Sequence, residues 1–348
     1  MAHYIDGYPG RKLTIEGKNY LYFGGTSYLG LQKDTEFQNN FIKNIIKYGT
    51  NYGASRKSNI RLNVYEKAEE ILAELTGCQK ALTLSSGYLA GQITAQHFNK
   101  PEYKLFYAPN THSALYNNYN KPFPNFKDLD SAVRKHLNEC NNIIPVVFID
   151  SIDFEGCNYP DFEGLNLLPL DKLNLVVDDS HGIGIIGKNG SGVYKTIEKY
   201  QAKELLVCCS LGKSFGIQAG AVLGTTQRVN QLAQSSFFGG ASPASPSAIA
   251  TFNDSQLLYN SKRGVLQSNV TLFKKLIKNI DFFSYMPEHP AFTFQNKQFA
   301  QYLEEQGFIL TNFNYPEESA STMSRVVISS HHTENDITTL CETINNHS

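Results

Sequence analysis

Two acids and a histidine follow one apolar run of the sequence, and a lysine follows the next. The segment "LNLVVDDSH" (173–181) carries the first run into Asp178 and His181. The segment "ELLVCCSLGKSFG" (204–216) carries the second into Lys213, in a loop with glycine on either side. In an open parallel sheet the ligand crevice lies outside the carboxyl ends of the strands. If both runs are strands of such a sheet, these side chains meet at one edge.

A lysine opposite an aspartate has the chemistry that pyridoxal phosphate (PLP) requires. The lysine amine can form a Schiff base, and the carboxylate can keep the pyridine nitrogen protonated. The protonated ring then stabilises a carbanion at the α carbon of an amino acid. Lys213 and Asp178 therefore predict a PLP site. Taken one at a time, a solvated lysine and a polar strand end that caps the next turn remain the alternatives.

Two further segments supply groups that a phosphate and an aromatic ring need. The segment "LTLSSGYLAGQITAQHF" (82–98) is typical of a strand, a turn and a helix, so the amides of Gly87 and Tyr88 would point at an anion. Ser210, three residues before the lysine, could add a hydroxyl. His112 follows another apolar run and could lie against the ring. A helix-capping serine and an ordinary loop histidine are the alternatives for these positions.

The run "GIGIIG" (182–187) matches the spacing of the dinucleotide fingerprint. A true fingerprint leads directly into a helix, with an acidic residue about 20 positions later for the ribose. Here "KNGSG" (188–192) follows, and no helix can begin before about Gly192. We therefore interpret the glycine run as a turn rather than a nicotinamide or flavin loop.

Between about residue 64 and residue 225, helical patterns alternate with short apolar runs. "VYEKAEEILAELTG" (64–77) predicts a helix that ends at Gly77. Such alternation predicts an α/β fold, with a mainly parallel sheet covered on both faces. The last two runs are joined by a short loop, which predicts an antiparallel edge. The predicted strands cover residues 80–86, 103–108, 143–151, 173–180, 204–211 and 219–225.

After residue 243 long helical patterns lead to a compact α+β tail. Its candidate strands are "AFTFQ", "FILTNF" and "RVVISS", at 291–295, 308–313 and 325–330. We therefore predict an N-terminal segment (1–47), a large PLP-binding domain (48–257) and a small C-terminal α+β domain (258–348).

Composition narrows the class of function. The net charge of −1, from 31 basic and 32 acidic residues, gives no reason to expect nucleic acid or an anionic membrane as partner. No window approaches the roughly 18 apolar residues of a membrane span, and no targeting segment opens the chain, so we expect a cytosolic protein. The six cysteines have neither C-x-x-C nor zinc-finger spacing, so no metal is predicted. A small-molecule role becomes the default.

Seven segments, taken in order, resemble the α-oxoamine synthases, which are fold-type-I, aspartate-aminotransferase-like PLP enzymes. The resemblance runs through nearly the whole chain and is greatest to the 8-amino-7-oxononanoate synthases and the 2-amino-3-ketobutyrate CoA ligases. The segments are "GGTSYLGL" (24–31), "YGTNYGASR" (48–56), "LTLSSGYLAG" (82–91), "NTHSAL" (110–115), "VVDDSHGIGIIGKNGSG" (176–192), "CSLGKSFG" (209–216) and "SRVVISSHHT" (324–333).

The resemblance assigns roles to these positions. It implies that Lys213 forms the Schiff base with the cofactor and that Asp178 pairs with the pyridine nitrogen. It places His181 near the phenolic oxygen and His112 on the face of the ring. The positions that it implies for the phosphate are Gly87, Tyr88 and Ser210.

Two arginines are candidates for the substrates. Arg325 aligns with the arginine that binds the amino-acid carboxylate, a task suited to a planar bidentate donor. Arg11 is a weaker candidate for the end of the acyl substrate. Without the resemblance, Arg325 would be interpreted as a surface arginine at a strand end.

The implied reaction is a decarboxylative condensation of glycine, alanine or serine with an acyl-CoA or acyl-carrier thioester. It would run in a homodimer with shared active sites. Another fold-type-I activity, such as an aminotransferase or a lyase, and a PLP-binding relative without catalysis are the alternatives.

Four positions depart from the family pattern. Asp153, in "DFEG", stands where a serine near the phenolic oxygen is expected, unless Ser151 fills that place. A carboxylate there would change the cofactor's electrostatics, so Asp153 counts among the cofactor-binding candidates. Tyr65 replaces a histidine, and Ile60 replaces a glycine. Gly240 stands where a serine or threonine would reach the phosphate of the neighbouring subunit.

Overall fold

The computed structural model of the 348-residue chain describes residues 3–116, 121–140, 142–315 and 322–347. The chain divides into two compact units. The larger comprises Asn39–Asp153 and Cys157–Gln256, and the smaller comprises Met1–Gln38, Phe154–Gly156 and Leu257–Ser348.

The strands of the described residues form two six-stranded sheets, one in each unit. They are β1 Lys12–Ile15, β2 Lys18–Phe23, β3 Lys80–Leu84, β4 Tyr103–Tyr107, β5 Ile144–Asp150, β6 Asn174–Asp178, β7 Glu204–Ser210, β8 Gly220–Gly224, β9 Ser284–Tyr285, β10 Ala291–Phe294, β11 Phe308–Asn314 and β12 Thr322–Val327.

Helices separate most of these strands. They are α1 Thr35–Tyr48, α2 Asn63–Thr76, α3 Gly87–His97, α4 Phe126–Glu139, α5 Tyr194–Glu198, α6 Thr226–Gln234, α7 Ser236–Gly240, α8 Pro246–Asp254, α9 Gln256–Leu276, α10 Lys297–Glu305 and α11 Glu334–His347. Helix α2 ends at Gly77 in the left-handed conformation (φ 74°), as its sequence predicts. None of the helices described is long and apolar enough to cross a bilayer.

The sheet of the larger unit has the order β3-β8-β7-β6-β5-β4. Strands β4 to β7 are parallel, and β8 is antiparallel to both of its neighbours. The mainly parallel α/β sheet is thus confirmed, but the antiparallel strand lies inside the sheet and not at its edge. The loop from β7 to β8 is too short for a crossover, which forces the antiparallel direction, while β3 takes the edge.

Burial explains why these segments form central strands. All five residues of β6 are buried, as are the middle five of β7. A strand covered on both faces carries a continuous apolar run rather than an alternating pattern, as residues 175–177 of β6 and 205–209 of β7 do. Val176, Leu206 and Cys208 lie in the core cluster together with Ala90 and Ile93 of α3. The packed sheet therefore fixes where each strand ends, and so where the loops that follow begin.

The sheet of the smaller unit has the order β1-β2-β11-β12-β10-β9. Its three longest C-terminal strands, β10, β11 and β12, overlap the strands predicted for the α+β tail. The sequence assigned residues 1–47 to a segment of their own, whereas β2 pairs in parallel with β11 and joins the two ends of the chain in one sheet. The predicted limits of folding domains remain a prediction.

Candidate active site

The strands that carry the candidate residues end level with one another. Asp150, the last residue of β5, is the register partner of Asp178, the last residue of β6. Asp178 is in turn the partner of Cys208 on β7, two residues before that strand ends at Ser210. The sheet edge therefore gathers the side chains that follow these strands, as the sequence predicts.

Lys213 and His181 meet at this edge. Lys213 Nζ lies 2.9 Å from His181 Nε2, within hydrogen-bonding distance. The adjacent Ser214 hydroxyl is buried, with no hydrogen-bond partner in the part of the chain that the structure describes. The lysine amine therefore has a neighbour that can exchange a proton with it.

Asp178 is a buried carboxyl at the centre of the edge. The residue is 7% exposed, and its Oδ1 accepts the backbone N–H of Ser180 at 2.8 Å. A buried carboxylate requires hydrogen bonds or an opposite charge to remain ionised. A protonated pyridine nitrogen is a partner of that kind, so Asp178 fits the predicted cofactor.

Asp179 explains the glycine run. Its Oδ1 accepts the Ser151 hydroxyl at 2.7 Å, and its Oδ2 accepts the backbone N–H of Val193 at 3.0 Å. A Cβ on Gly182 or on Gly192 would overlap this carboxyl. The glycines thus wrap a turn around a carboxyl of the chain itself, and α5 begins only afterwards. The interpretation of this run as a turn is confirmed.

We predict that Asp179→Asn makes the stability of the cofactor-free protein less dependent on pH. Burial raises the pKa of Asp179 from 3.8 to about 7, against the opposing hydrogen bonds from Ser151 and Val193. The folded protein therefore binds this proton more tightly than the unfolded chain. Its contribution to stability falls as the pH rises from about 4 to about 7. An asparagine can still accept from Val193 and can donate to the Ser151 hydroxyl.

Urea unfolding at pH 5 and pH 8 measures this dependence. We expect the wild type to lose about 2 to 4 kcal/mol more than Asp179→Asn between the two pH values. Asp161→Asn, at an exposed aspartate, is the matched control and should follow the wild type. Equal losses in the wild type and Asp179→Asn would contradict the assignment.

The predicted phosphate residues are brought together at the start of α3. Gly87 and Tyr88 open the helix, and the Ser86 side chain caps it by accepting a backbone N–H of the first turn. The N–H groups of a first turn have no acceptor within their own helix, so they are available to an anion. A Cβ on Gly87 would lie 2.5 Å from Ser210 Cβ, so this turn packs directly against the end of β7.

His112 is held as a neutral ring. Its backbone N–H donates to Asp150 Oδ1 at 3.0 Å, and its ring Nδ1 accepts the backbone N–H of Ala114 at 3.1 Å. Burial lowers the pKa of His112, although the negative charge of Asp178 opposes this. With Nδ1 as acceptor, the neutral ring carries its proton on Nε2. A flat, uncharged ring of this kind suits the stacking role that the sequence predicts.

Asp153 and Ser151 have partners of their own. Asp153 Oδ2 accepts the backbone N–H of Cys157 at 3.1 Å and so caps the turn of "DFEG". The Ser151 hydroxyl is directed to Asp179. The cofactor role of Asp153 remains a prediction.

Tyr65, at the histidine position of the family pattern, serves packing. Its hydroxyl donates to the carbonyl of Ala244 at 2.7 Å, and the Arg56 guanidinium lies 4.2 Å from the centre of its ring. Arg56 also pairs with Glu69 at 2.9 Å. These side chains line a cleft of about 790 Å³ against α2, β3 and α6, and that cleft is not lined by Lys213 or its neighbours at the sheet edge. The departure at Tyr65 thus concerns a different cavity.

Ile60 and Gly240 lie at open positions in this chain. Ile60 is 66% exposed, and a Cβ on Gly240 would meet no described atom within 4 Å. Crowding within the larger unit therefore does not require the glycine at position 240.

The two arginine candidates belong to the smaller unit. Arg325, on β12, has Phe154 3.4 Å from its guanidinium, measured to the ring centre. Its Nε is buried and lacks a hydrogen-bond partner among the residues described, and burial lowers its pKa to about 10. Arg11 Nε lies 2.9 Å from Asp336 Oδ2 in an ion pair. Among the described residues neither Arg325 Nε nor Arg11 Nε makes a hydrogen bond, but Arg11 has a carboxylate within ion-pair distance, so Arg325 is the better candidate for binding an anion.

No three histidine, cysteine, aspartate or glutamate side chains of the described ranges are grouped so as to hold a metal ion. The buried carboxyl, the neutral imidazole, the lysine and the helix N-terminus are instead the groups that a phosphorylated pyridine aldehyde would contact.

The fold and this site define a fold-type-I PLP-dependent transferase. The chain belongs to the aminotransferase class I and II family, whose model matches residues 160–344.

Relatives of known name cover almost the whole chain. It is 25% identical to 8-amino-7-oxononanoate synthase of Thermosipho melanesiensis, over 96% of this chain and 89% of the relative. It is 24% identical to serine palmitoyltransferase of Bacteriovorax stolpii, over 95% of this chain and 83% of the relative.

Solved structures show the same fold. A serine palmitoyltransferase variant from S. paucimobilis, solved with a bound PLP–myriocin aldimine, matches with a TM-score of 0.83 and 20% identity over 99% of this chain and 92% of that one. The 8-amino-7-oxononanoate synthase of Francisella tularensis matches with a TM-score of 0.70 and 20% identity, over 94% and 97% of the two chains.

Proposed function

We propose that the protein is a PLP-dependent acyltransferase of the 8-amino-7-oxononanoate synthase type. It would condense glycine, alanine or serine with an acyl-CoA or acyl-carrier thioester and release carbon dioxide. The observation that carries the proposal is the meeting of Lys213 with His181 at the sheet edge where Asp178 is buried. The names of the relatives support an amino acid and an acyl thioester as substrates.

The residues present fit PLP. Lys213 supplies the amine, Asp178 the buried carboxylate, and the first turn of α3 the amides for a phosphate. Bound there, PLP supplies an electron sink for a carbanion at the amino-acid α carbon.

Each side chain then has a task of its own. Lys213 Nζ would move the α proton. To accept it the amine must first be neutral, which requires a lysine pKa well below the ordinary value of ~10.4. His181 Nε2 lies 2.9 Å away and can share that proton. His112 would cover the cofactor ring with an uncharged face and exclude water. Asp178 is buried, and a negative charge at that position would act strongly on a protonated nitrogen of the cofactor.

Substrate contacts are the second part of the proposal. The buried Nε of Arg325 supports a role in binding a carboxylate, while the ion pair of Arg11 with Asp336 leaves that residue with weaker support. We also propose a homodimer with shared active sites, and sedimentation velocity of the PLP-loaded protein tests it.

An absorption titration with thiol detection tests the reaction. PLP-loaded protein is mixed with glycine, L-alanine or L-serine, each with and without short-chain and long-chain acyl-CoA. We expect one amino acid to shift the visible absorption, and free thiol and carbon dioxide to appear only when that amino acid and a thioester are both present. Lys213→Ala serves as the control without turnover.

Other outcomes would replace the proposal. Transfer of the amino group to a keto acid without release of thiol would indicate an aminotransferase. A spectrum that shifts with an amino acid but never produces thiol, carbon dioxide or a new amine would indicate a relative that binds PLP without catalysis.

A further inference from the structure

Asp150 ends β5 at the same sheet edge, and none of the roles described above involves its side chain. The residue is 9% exposed. Its Oδ1 accepts the backbone N–H of His112 at 3.0 Å, and its carbonyl accepts the Asn158 amide at 2.8 Å. The side chain of one strand thus holds the loop that follows the neighbouring strand, β4.

The contact fixes the residue that carries the predicted stacking ring. The Ala114 N–H sets the rotation of the His112 ring through Nδ1, and Asp150 sets the position of the backbone from which the ring projects. Thr111 anchors the same loop independently, because its hydroxyl donates to the carbonyls of Ala108 and Phe148. Asp150 is therefore one of several side chains that anchor this loop, and it acts on the backbone of His112 itself.

Charge decides the form in which Asp150 performs this task. Asp150 and Asp178 are buried register partners on adjacent strands, and two such carboxyls repel each other when both are ionised. Burial and the charge of Asp178 raise the pKa of Asp150 well above its usual range. Titratable or charged groups close enough to influence Asp150, or to be influenced by it, are Asp178 on β6, Cys208 on β7, Lys213 after β7, Asp153 after β5, and His112 and Tyr116 after β4.

We propose that Asp150 is a positioning residue that holds His112 by its backbone N–H and does so as an uncharged acceptor. The proposal rests on the proposed function only for the identity of the ligand. The contact itself exists in the cofactor-free protein and can be measured there.

Three variants separate the parts of this proposal. Asp150→Asn keeps an uncharged acceptor, and Asp150→Val removes the acceptor. Thr111→Val is the matched control, since it removes the side-chain hydrogen bonds of the same loop without touching the His112 N–H.

The first readout needs no cofactor. In protein labelled with ¹⁵N-histidine, we expect amide exchange of His112 to rise at least tenfold in Asp150→Val and to stay within about threefold of the wild type in Asp150→Asn. The ring ¹⁵N signals should show the proton on Nε2 in the wild type and in Asp150→Asn.

The second readout is the visible circular dichroism of bound PLP, which reports how asymmetrically the ring is held. We expect Asp150→Asn to keep the wild-type signal between pH 6 and pH 9, Asp150→Val to lose at least half of it, and Thr111→Val to keep it. Unchanged His112 exchange in Asp150→Val would overturn the positioning role. Loss of the signal in Asp150→Asn would overturn the uncharged form.

If Asp150→Val does not fold, Asp150→Asn decides alone. Wild-type exchange and a wild-type signal at every pH support the proposal, and a change in either overturns it. Failure of the wild type to bind PLP would instead refute the proposed function, while the exchange of His112 in the cofactor-free protein would still test the role of Asp150.

Discussion

Lys213→Ala is expected to abolish covalent capture of PLP and to lower turnover at least a thousandfold, a change of about 4 kcal/mol in the activation barrier. Lys213 is the amine that lies 2.9 Å from His181, at the sheet edge where Asp178 is buried. Alanine removes both the nucleophile and the proton carrier, and the neighbouring hydrogen bonds of the sheet remain. The fold should therefore persist while the chemistry is lost.

Borohydride reduction followed by peptide mapping gives the decisive measurement. In the wild type we expect one reduced adduct on the peptide that contains Lys213, and none in Lys213→Ala. Lys203→Ala removes an exposed lysine just before the same strand and should behave as the wild type. A reduced adduct on another lysine of Lys213→Ala would contradict the assignment of the nucleophile.

The grouping of the candidate residues at one edge of the sheet could be predicted because its signals are local in sequence. The apolar runs that become β6 and β7 lead directly into Asp178 and Lys213, and a parallel sheet aligns such ends whatever the order of its strands. The Ser-Ser-Gly turn before α3 likewise carries its own capping residue. In each case a stretch of about ten residues holds both the element and the functional group.

The pairing of strands that lie far apart in the sequence could not be predicted from any such local signal. The partnership of β2 with β11, which joins Leu21 to Phe308, brings together residues from opposite ends of the chain. Strand β8 lies between β3 and β7 because β3, which is distant in sequence, pairs with the side of β8 that does not contact β7. No short segment of the sequence predicts that pairing.

The role inferred for Asp150 was hidden for the same reason. Its position is that of an ordinary strand terminus until the register pairs it with Asp178 and the following loop of β4 places His112 on its carboxyl. Asp153, which stands where the family pattern has a serine, caps its own turn, and its cofactor role stays a prediction. The residue type at a motif position was enough to suggest a role for Asp153. The contact of Asp150 with the His112 N–H could be found only once the fold was known.

The second large effect is expected for Asp178→Asn, which should keep PLP bound but slow exchange of the α proton of a bound amino acid by a hundredfold or more. Asparagine can still accept the Ser180 N–H, so the strand end should keep its geometry. What it loses is the negative charge that keeps the pyridine nitrogen protonated, and with it the electron-withdrawing power of the ring. Exchange of the α proton of glycine into deuterated water, followed by NMR, measures this without a thioester.

Asp161→Asn is the exposed control for that measurement, and an unchanged exchange rate in Asp178→Asn would refute the pairing of Asp178 with the cofactor.

The Asp178→Asn variant also bears on Asp150, because Asp178 contributes to the high pKa of that neighbour. Removing the charge of Asp178 should let Asp150 ionise at lower pH. In cofactor-free Asp178→Asn, proton uptake on titration should therefore shift to lower pH, whereas in the double variant Asp150→Asn with Asp178→Asn that step should disappear. A proton that remains in the double variant would belong to another group, Asp179 being the nearest buried candidate by its pKa of about 7.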